Sequence, residues 1–131
     1  MNSVIVIDDN EDMAALISEM FANSGLTSFY ALSGTDALEK LRRQKESGET
    51  VTVCILDVVL SGLSGTELMQ EIKNIFPQIR FILITGYTDI PDIQAMLDHG
   101  AMEIIYKPFK IDEIISKVKF IVSNTQRIPV S

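Results

Sequence analysis

The chain has 131 residues, 47% of them hydrophobic, one cysteine and a formal net charge of -7. That length suits one domain with its own core, and the acidic balance leaves no basic surface to neutralise a nucleic-acid backbone or an anionic bilayer. Cys54 has no partner for an internal disulfide, no secretory leader pattern is visible at the N-terminus, and no apolar run approaches the ~20 residues needed to cross a membrane, so a soluble cytoplasmic protein is expected.

Along the chain, β-rich runs alternate with segments of helical period. Val4 to Ile7 is an aliphatic run ended by acids, followed by Met13, Leu16, Ile17, Met20 and Phe21 at helix spacing, with Gly25 as the stop. Leu26 to Leu32 is a weaker strand, after which Ser33 and Asp36 form a capping-box pattern before Ala37, Leu38 and Leu41. The basic run Lys40, Arg42, Arg43 and Lys45 is assigned to the solvated face of this second helix, which ends near Gly48. Val51 to Leu56 is apolar on both alternating sets, as in a strand covered on both faces, and encloses Cys54, expected to be buried and inert. Ser64 and Glu67 repeat the capping pattern ahead of Leu68, Ile72, Ile75 and Phe76, and Pro77 closes that helix. Phe81 to Ile84 is a fourth strand; Pro91 suits the first turn of a short helix with Ile93, Met96 and Leu97, ended by His99 and Gly100, where His99 reads as solvated or C-capping. Glu103 to Tyr106 is a fifth strand, and Ile111, Ile114, Ile115, Val118 and Ile121 mark the last helix.

Five β/α units with short connections predict an α/β fold with parallel strands, right-handed crossovers and helices on both faces, occupying residues 1–122. Residues 123–131 lose the pattern and read as a tail or the start of a linker. In such folds the carboxyl ends of the strands share one edge, where ligands bind. Asp8 and Asp9, Asp57, Thr85 and Lys107 all stand at predicted strand ends. An acid after a strand is, taken alone, more often a turn former or cap than a reactive group. Converging carboxylates raise one another's pKa unless a cation joins them, and hard oxygen donors favour Mg²⁺. With the Lys107 ammonium and the Thr85 hydroxyl added, the set is suited to phosphoryl transfer.

On those residues, with Pro108 after Lys107, almost the whole chain resembles the receiver domains of two-component response regulators, the CheY-like family. The resemblance implies a flavodoxin-like sheet of order 2-1-3-4-5. It implies that Asp57 is the nucleophile phosphorylated by a histidine kinase or histidine phosphotransfer protein, with Mg²⁺ held by Asp8, Asp9, Asp57 and the backbone carbonyl of Val59. Thr85 would bond the phosphoryl oxygen, Lys107 would pair with it, and Tyr106 would turn inward as Thr85 moves. A downstream protein would then meet the face of the fourth helix, fifth strand and fifth helix; without the other motifs, Tyr106 reads as an edge-strand aromatic covering apolar surface. The family also implies a cis Lys107-Pro108 bond.

The pattern departs from the family at Ser61, where proline is usual, although Gly65 is retained. Val59 and Tyr87 fall at positions flanking the phosphoryl group; an aliphatic Val59 cannot orient water, and slow autodephosphorylation is expected. No Walker-type or G-x-G-x-x-G loop supports nucleotide binding. Two other classes remain: an aspartyl-phosphate phosphatase, disfavoured because Val59 stands where a second acid is typical, and a receiver-like module that binds partners without phosphorylation. A receiver segment of a longer transcriptional regulator or hybrid kinase is equally compatible with the motifs.

Overall fold

The aliphatic runs become five strands because their residues alternate between two helical layers. In a computed structural model, which describes residues 2–58, 65–86, 90–98 and 100–126, the order is β1 (Asn2–Ile7), α1 (Glu11–Asn23), β2 (Thr27–Ala31), α2 (Gly34–Glu46), β3 (Thr50–Asp57), α3 (Gly65–Ile75), β4 (Arg80–Thr85), α4 (Ile90–Asp98), β5 (Ala101–Tyr106) and α5 (Ile111–Gln126). All strand pairs are parallel and the sheet order is β2-β1-β3-β4-β5, as the resemblance implied. The winding reverses between β1 and β3, the topological switch point at which such sheets bind ligands.

Side-chain parity explains the two cores. Val4 and Val6 of β1, Val53 and Ile55 of β3, Ile82 and Ile84 of β4 and Ile105 of β5 pack with Ile17 and Phe21 of α1 and Ile114 and Val118 of α5. The intervening residues, Ile5, Ile7, Cys54, Leu56, Phe81 and Leu83, pack on the other face with Leu41 of α2, Ile72 of α3 and Met96 of α4. Each such fully buried aliphatic side chain stabilises the fold by about 1.5–3 kcal/mol relative to exposure. Cys54 lies fully buried in the central strand, and burial pushes its thiol well above the ordinary 9.0.

Several local expectations hold with small shifts. Gly25, Gly48 and Gly100 take positive φ values of 87°, 79° and 103°, the left-handed conformation that ends the helix before each. Ser33 caps α2, its hydroxyl accepting from the Asp36 amide at 3.1 Å, but the Asp36 carboxylate accepts from Leu32 rather than from Ser33 itself. β5 begins two residues earlier than its composition suggested, and β2 is shorter by one residue at each end.

In the basic run on α2, Arg42, Arg43 and Lys45 are exposed as expected, and Lys40 is half-buried. Lys40 donates to the Tyr30 carbonyl at 2.7 Å, pairs with Asp36 at 3.3 Å and lies over the Tyr30 ring, while Lys45 lies 5.3 Å from the Phe76 ring centre. Both ammonium heads lie over aromatic rings, a placement that the charge pattern alone could not reveal. The Lys107-Pro108 bond is cis, as expected. No helix among the described residues is long and apolar enough to cross a membrane. Helix α5 runs to Gln126, so residues 123–126, expected to be tail, are its last turn. Ser61, Ser64, His99 and residues 127–131 of the tail lie outside the described residues.

Candidate functional site

Parity also decides which side chains meet at the carboxyl edge. Asp8 continues the alternation of Val4 and Val6, Asp57 that of Val53 and Ile55, and Lys107 that of Ile105, so all three leave the sheet toward the α1 and α5 side. The pairing of Ile7 with Leu56 puts Asp8 and Asp57 at the next step of adjoining strands. Oxygens of Asp8, Asp9 and Asp57 lie within 4.8 Å of one another, and Lys107 Nζ donates to Asp57 Oδ2 at 3.2 Å.

Asp8 and Asp57 are only 4% and 5% exposed, whereas Asp9 is exposed and the Lys107 side chain is about half-exposed. Burial is the largest influence on Asp8 and raises its carboxyl above the ordinary 3.8; the Asn10 backbone N–H opposes this, and the charges of Asp57 and Asp9 add to it while Lys107 offsets them. Three carboxylates facing one ammonium leave a surplus of negative charge. The donor set is hard and all oxygen, and it fits a divalent cation of the Mg²⁺ class.

Backbone bonds hold the edge in place. Asp8 N–H donates to Ala31 O at 3.1 Å, Val58 N–H to Ile84 O at 2.9 Å, and Lys107 N–H to Thr85 O at 2.8 Å. Thr85 is 1% exposed and is the register partner of Tyr106 across the β4–β5 pair. Tyr106 itself is 55% exposed, on the edge strand of the sheet. The structure thus brings together Asp8, Asp9, Asp57 and Lys107, and joins Thr85 to Lys107 through the backbone. Val59 and Tyr87, two of the residues singled out in the sequence, lie outside the described residues.

Two contributions were not read from the sequence. Asn10 caps α1 and its amide donates to Asp8, although an Asn just before a helical run is a capping signal. Met13, Leu16, Phe109 and Ile111 share with the acids and Lys107 a cavity of about 470 Å³, giving the charged site an apolar wall. The helical spacing marked Met13 and Leu16 for the core, yet Leu16 is exposed.

A doubly wound sheet with an acidic pocket and a lysine at its switch point is the receiver architecture of two-component signalling. The family model described as "Response regulator receiver domain" matches residues 4–119, and the chain belongs to that family. Sporulation initiation phosphotransferase F of Bacillus subtilis (strain 168) is 31% identical over 116 residues, covering 88% of this chain and 90% of that protein. The DNA-binding transcriptional regulator NtrC of Escherichia coli (strain K12) is 28% identical over 123 residues, covering 94% of this chain but only 25% of the regulator. Among solved structures, a response regulator receiver domain protein from Clostridium thermocellum has a TM-score of 0.82 at 25% identity, covering 98% of this chain and 100% of that one. A CheY-like receiver domain protein from Methanospirillum hungatei JF-1 shares the fold with a TM-score of 0.85 at 20% identity, covering 98% and 99%.

Proposed function

We propose that this receiver takes a phosphoryl group on Asp57 from a phosphohistidine of a histidine kinase or histidine phosphotransfer protein, with Mg²⁺ as cofactor, and that the acyl phosphate switches a protein-binding face formed by α4, β5 and α5. The observation that carries this is the buried Asp57 carboxylate, 3.2 Å from the Lys107 ammonium and clustered with two further acids.

In the proposed step an Asp57 oxygen attacks phosphorus as the P–N bond to the donor imidazole breaks, and the departing nitrogen keeps the electron pair. A carboxylate serves as nucleophile because phosphoryl transfer through a loose transition state depends on positioning and charge neutralisation more than on basicity. Asp8, Asp9, Asp57 and the Val59 carbonyl would hold Mg²⁺, which when bound neutralises charge on the phosphoryl oxygens. Lys107 supplies a second positive charge, and the Thr85 hydroxyl donates to a phosphoryl oxygen. Because Thr85 and Tyr106 are register partners, a shift of one is felt by the other, which supports Tyr106 as the reporting side chain of the switch. All three acids and Lys107 are retained and grouped, which favours this reading over a phosphorylation-independent module.

Incubation with acetyl phosphate and Mg²⁺ should add one phosphoryl group to the wild-type mass. The adduct should be absent from Asp57→Asn and from a sample treated with EDTA. An adduct that persists in Asp57→Asn, or none in the wild type, would overturn the assignment.

A further inference from the structure

Asp8 sits between two rigid elements, and one residue holds it to the second of them. Its backbone N–H is fixed by Ala31 O at the end of β2, and its carboxylate Oδ1 accepts the Asn10 N–H at 2.9 Å. Asn10 is in turn held at two further points. Its carbonyl accepts from Ala14 at 2.9 Å in the first helical bond of α1, and its side-chain Oδ1 accepts from the Met13 N–H at 3.0 Å. Its backbone at φ −86° and ψ 105° is the extended conformation of an N-cap.

We infer that Asn10 is a positioning residue for the acidic cluster: by capping α1 it fixes the amide that sets the plane of the Asp8 carboxylate. This rests on the proposed Mg²⁺-dependent function. Asp57 and Asp9 carry like charge within 4.8 Å, and the repulsion favours rotation of the Asp8 carboxylate away from them. The amide opposes that rotation before any cation arrives, so the cation meets donors already turned toward one another. Groups that orient metal ligands without touching the metal commonly act this way.

Asn10 as a helix cap alone makes a different forecast, because glycine at an N-cap costs only a few tenths of a kcal/mol relative to asparagine. Asn10→Gly should keep α1 while freeing the amide; Asn10→Ser restores an oxygen that can accept from Met13. Mg²⁺ affinity is read by titration calorimetry on the full chain, with the melting temperature in EDTA recorded beside it. We expect Asn10→Gly to bind Mg²⁺ about tenfold more weakly at nearly unchanged melting temperature, and Asn10→Ser to bind within about twofold of wild type. Equal affinity in wild type and Asn10→Gly, with Asp57 still phosphorylated, defeats the inference alone. Equal weakening in Gly and Ser defeats it as well. A wild type that neither binds Mg²⁺ nor accepts a phosphoryl group defeats the proposed function and this inference together.

Discussion

Lys107→Ala is expected to slow phosphorylation of Asp57 by acetyl phosphate roughly 100-fold, the usual loss when one group stabilising transition-state charge is removed. Lys107 is the ammonium within hydrogen-bond reach of the Asp57 carboxylate, and its backbone is tied to Thr85 across the β4–β5 pair. Truncation leaves the main chain intact while removing the positive charge next to the attacking oxygen. The variant should also be less stable without metal, because a nearly buried Asp57 would lose its cation. With half of the Lys107 side chain in water, that loss is about 1–2 kcal/mol rather than the larger cost of breaking a fully buried pair. A mass time course with saturating Mg²⁺ measures the rate, and a urea titration in EDTA measures the stability. A wild-type rate in the variant would remove Lys107 from the reaction.

Asp8→Asn should move stability the other way. The substitution keeps an oxygen to accept the Asn10 amide but deletes a buried negative charge next to Asp57 and Asp9. In EDTA the variant should be more stable than wild type by about 1–2 kcal/mol, or roughly 4–8 °C in melting temperature. The pH dependence follows from the raised Asp8 carboxyl. A group whose folded pKa lies above its unfolded value of 3.8 contributes fully below 3.8, and that contribution is lost as pH rises through the folded value. The gap between variant and wild type should therefore be small in acid and widen toward neutral pH. Millimolar Mg²⁺ should raise the wild-type melting temperature by mass action and leave Asp8→Asn nearly unmoved. Equal Mg²⁺ stabilisation of both proteins would falsify the role of Asp8 in cation binding.

Most of the fold was legible because both faces of the sheet are covered: Val51 to Leu56 has no polar alternation, a pattern that a one-sided sheet would not tolerate. The site was legible because Asp8, Asp9, Asp57, Thr85 and Lys107 all stand at the ends of such runs, each ordinary alone, whereas the shared face of Asp8, Asp57 and Lys107 emerges only from the folded sheet. What could not be read depends on distances between segments remote in sequence. Lys40 and Lys45 look like any solvated basic run until Tyr30 and Phe76 are found beneath them. The exposed Leu16 follows the helical period of its buried neighbours, and only the placement of α1 against the β5–α5 connection turns it toward the site. Strand 5 starts early because pairing to β4 outweighs the weak local preference of Ala101.

Cys54 gives this receiver a chemical clock. It is the single thiol of the chain, lies in the middle of the central strand, and is sealed from both sides by helices. A thiol reagent reaches it only when the α2–α4 layer lifts or the sheet itself opens, since fraying of α5 uncovers the opposite face of β3. The labelling rate thus reports opening of the core that α2, α3 and α4 form with the central strand, without an introduced probe, and separates variants that disturb only the carboxyl edge from those that loosen this core.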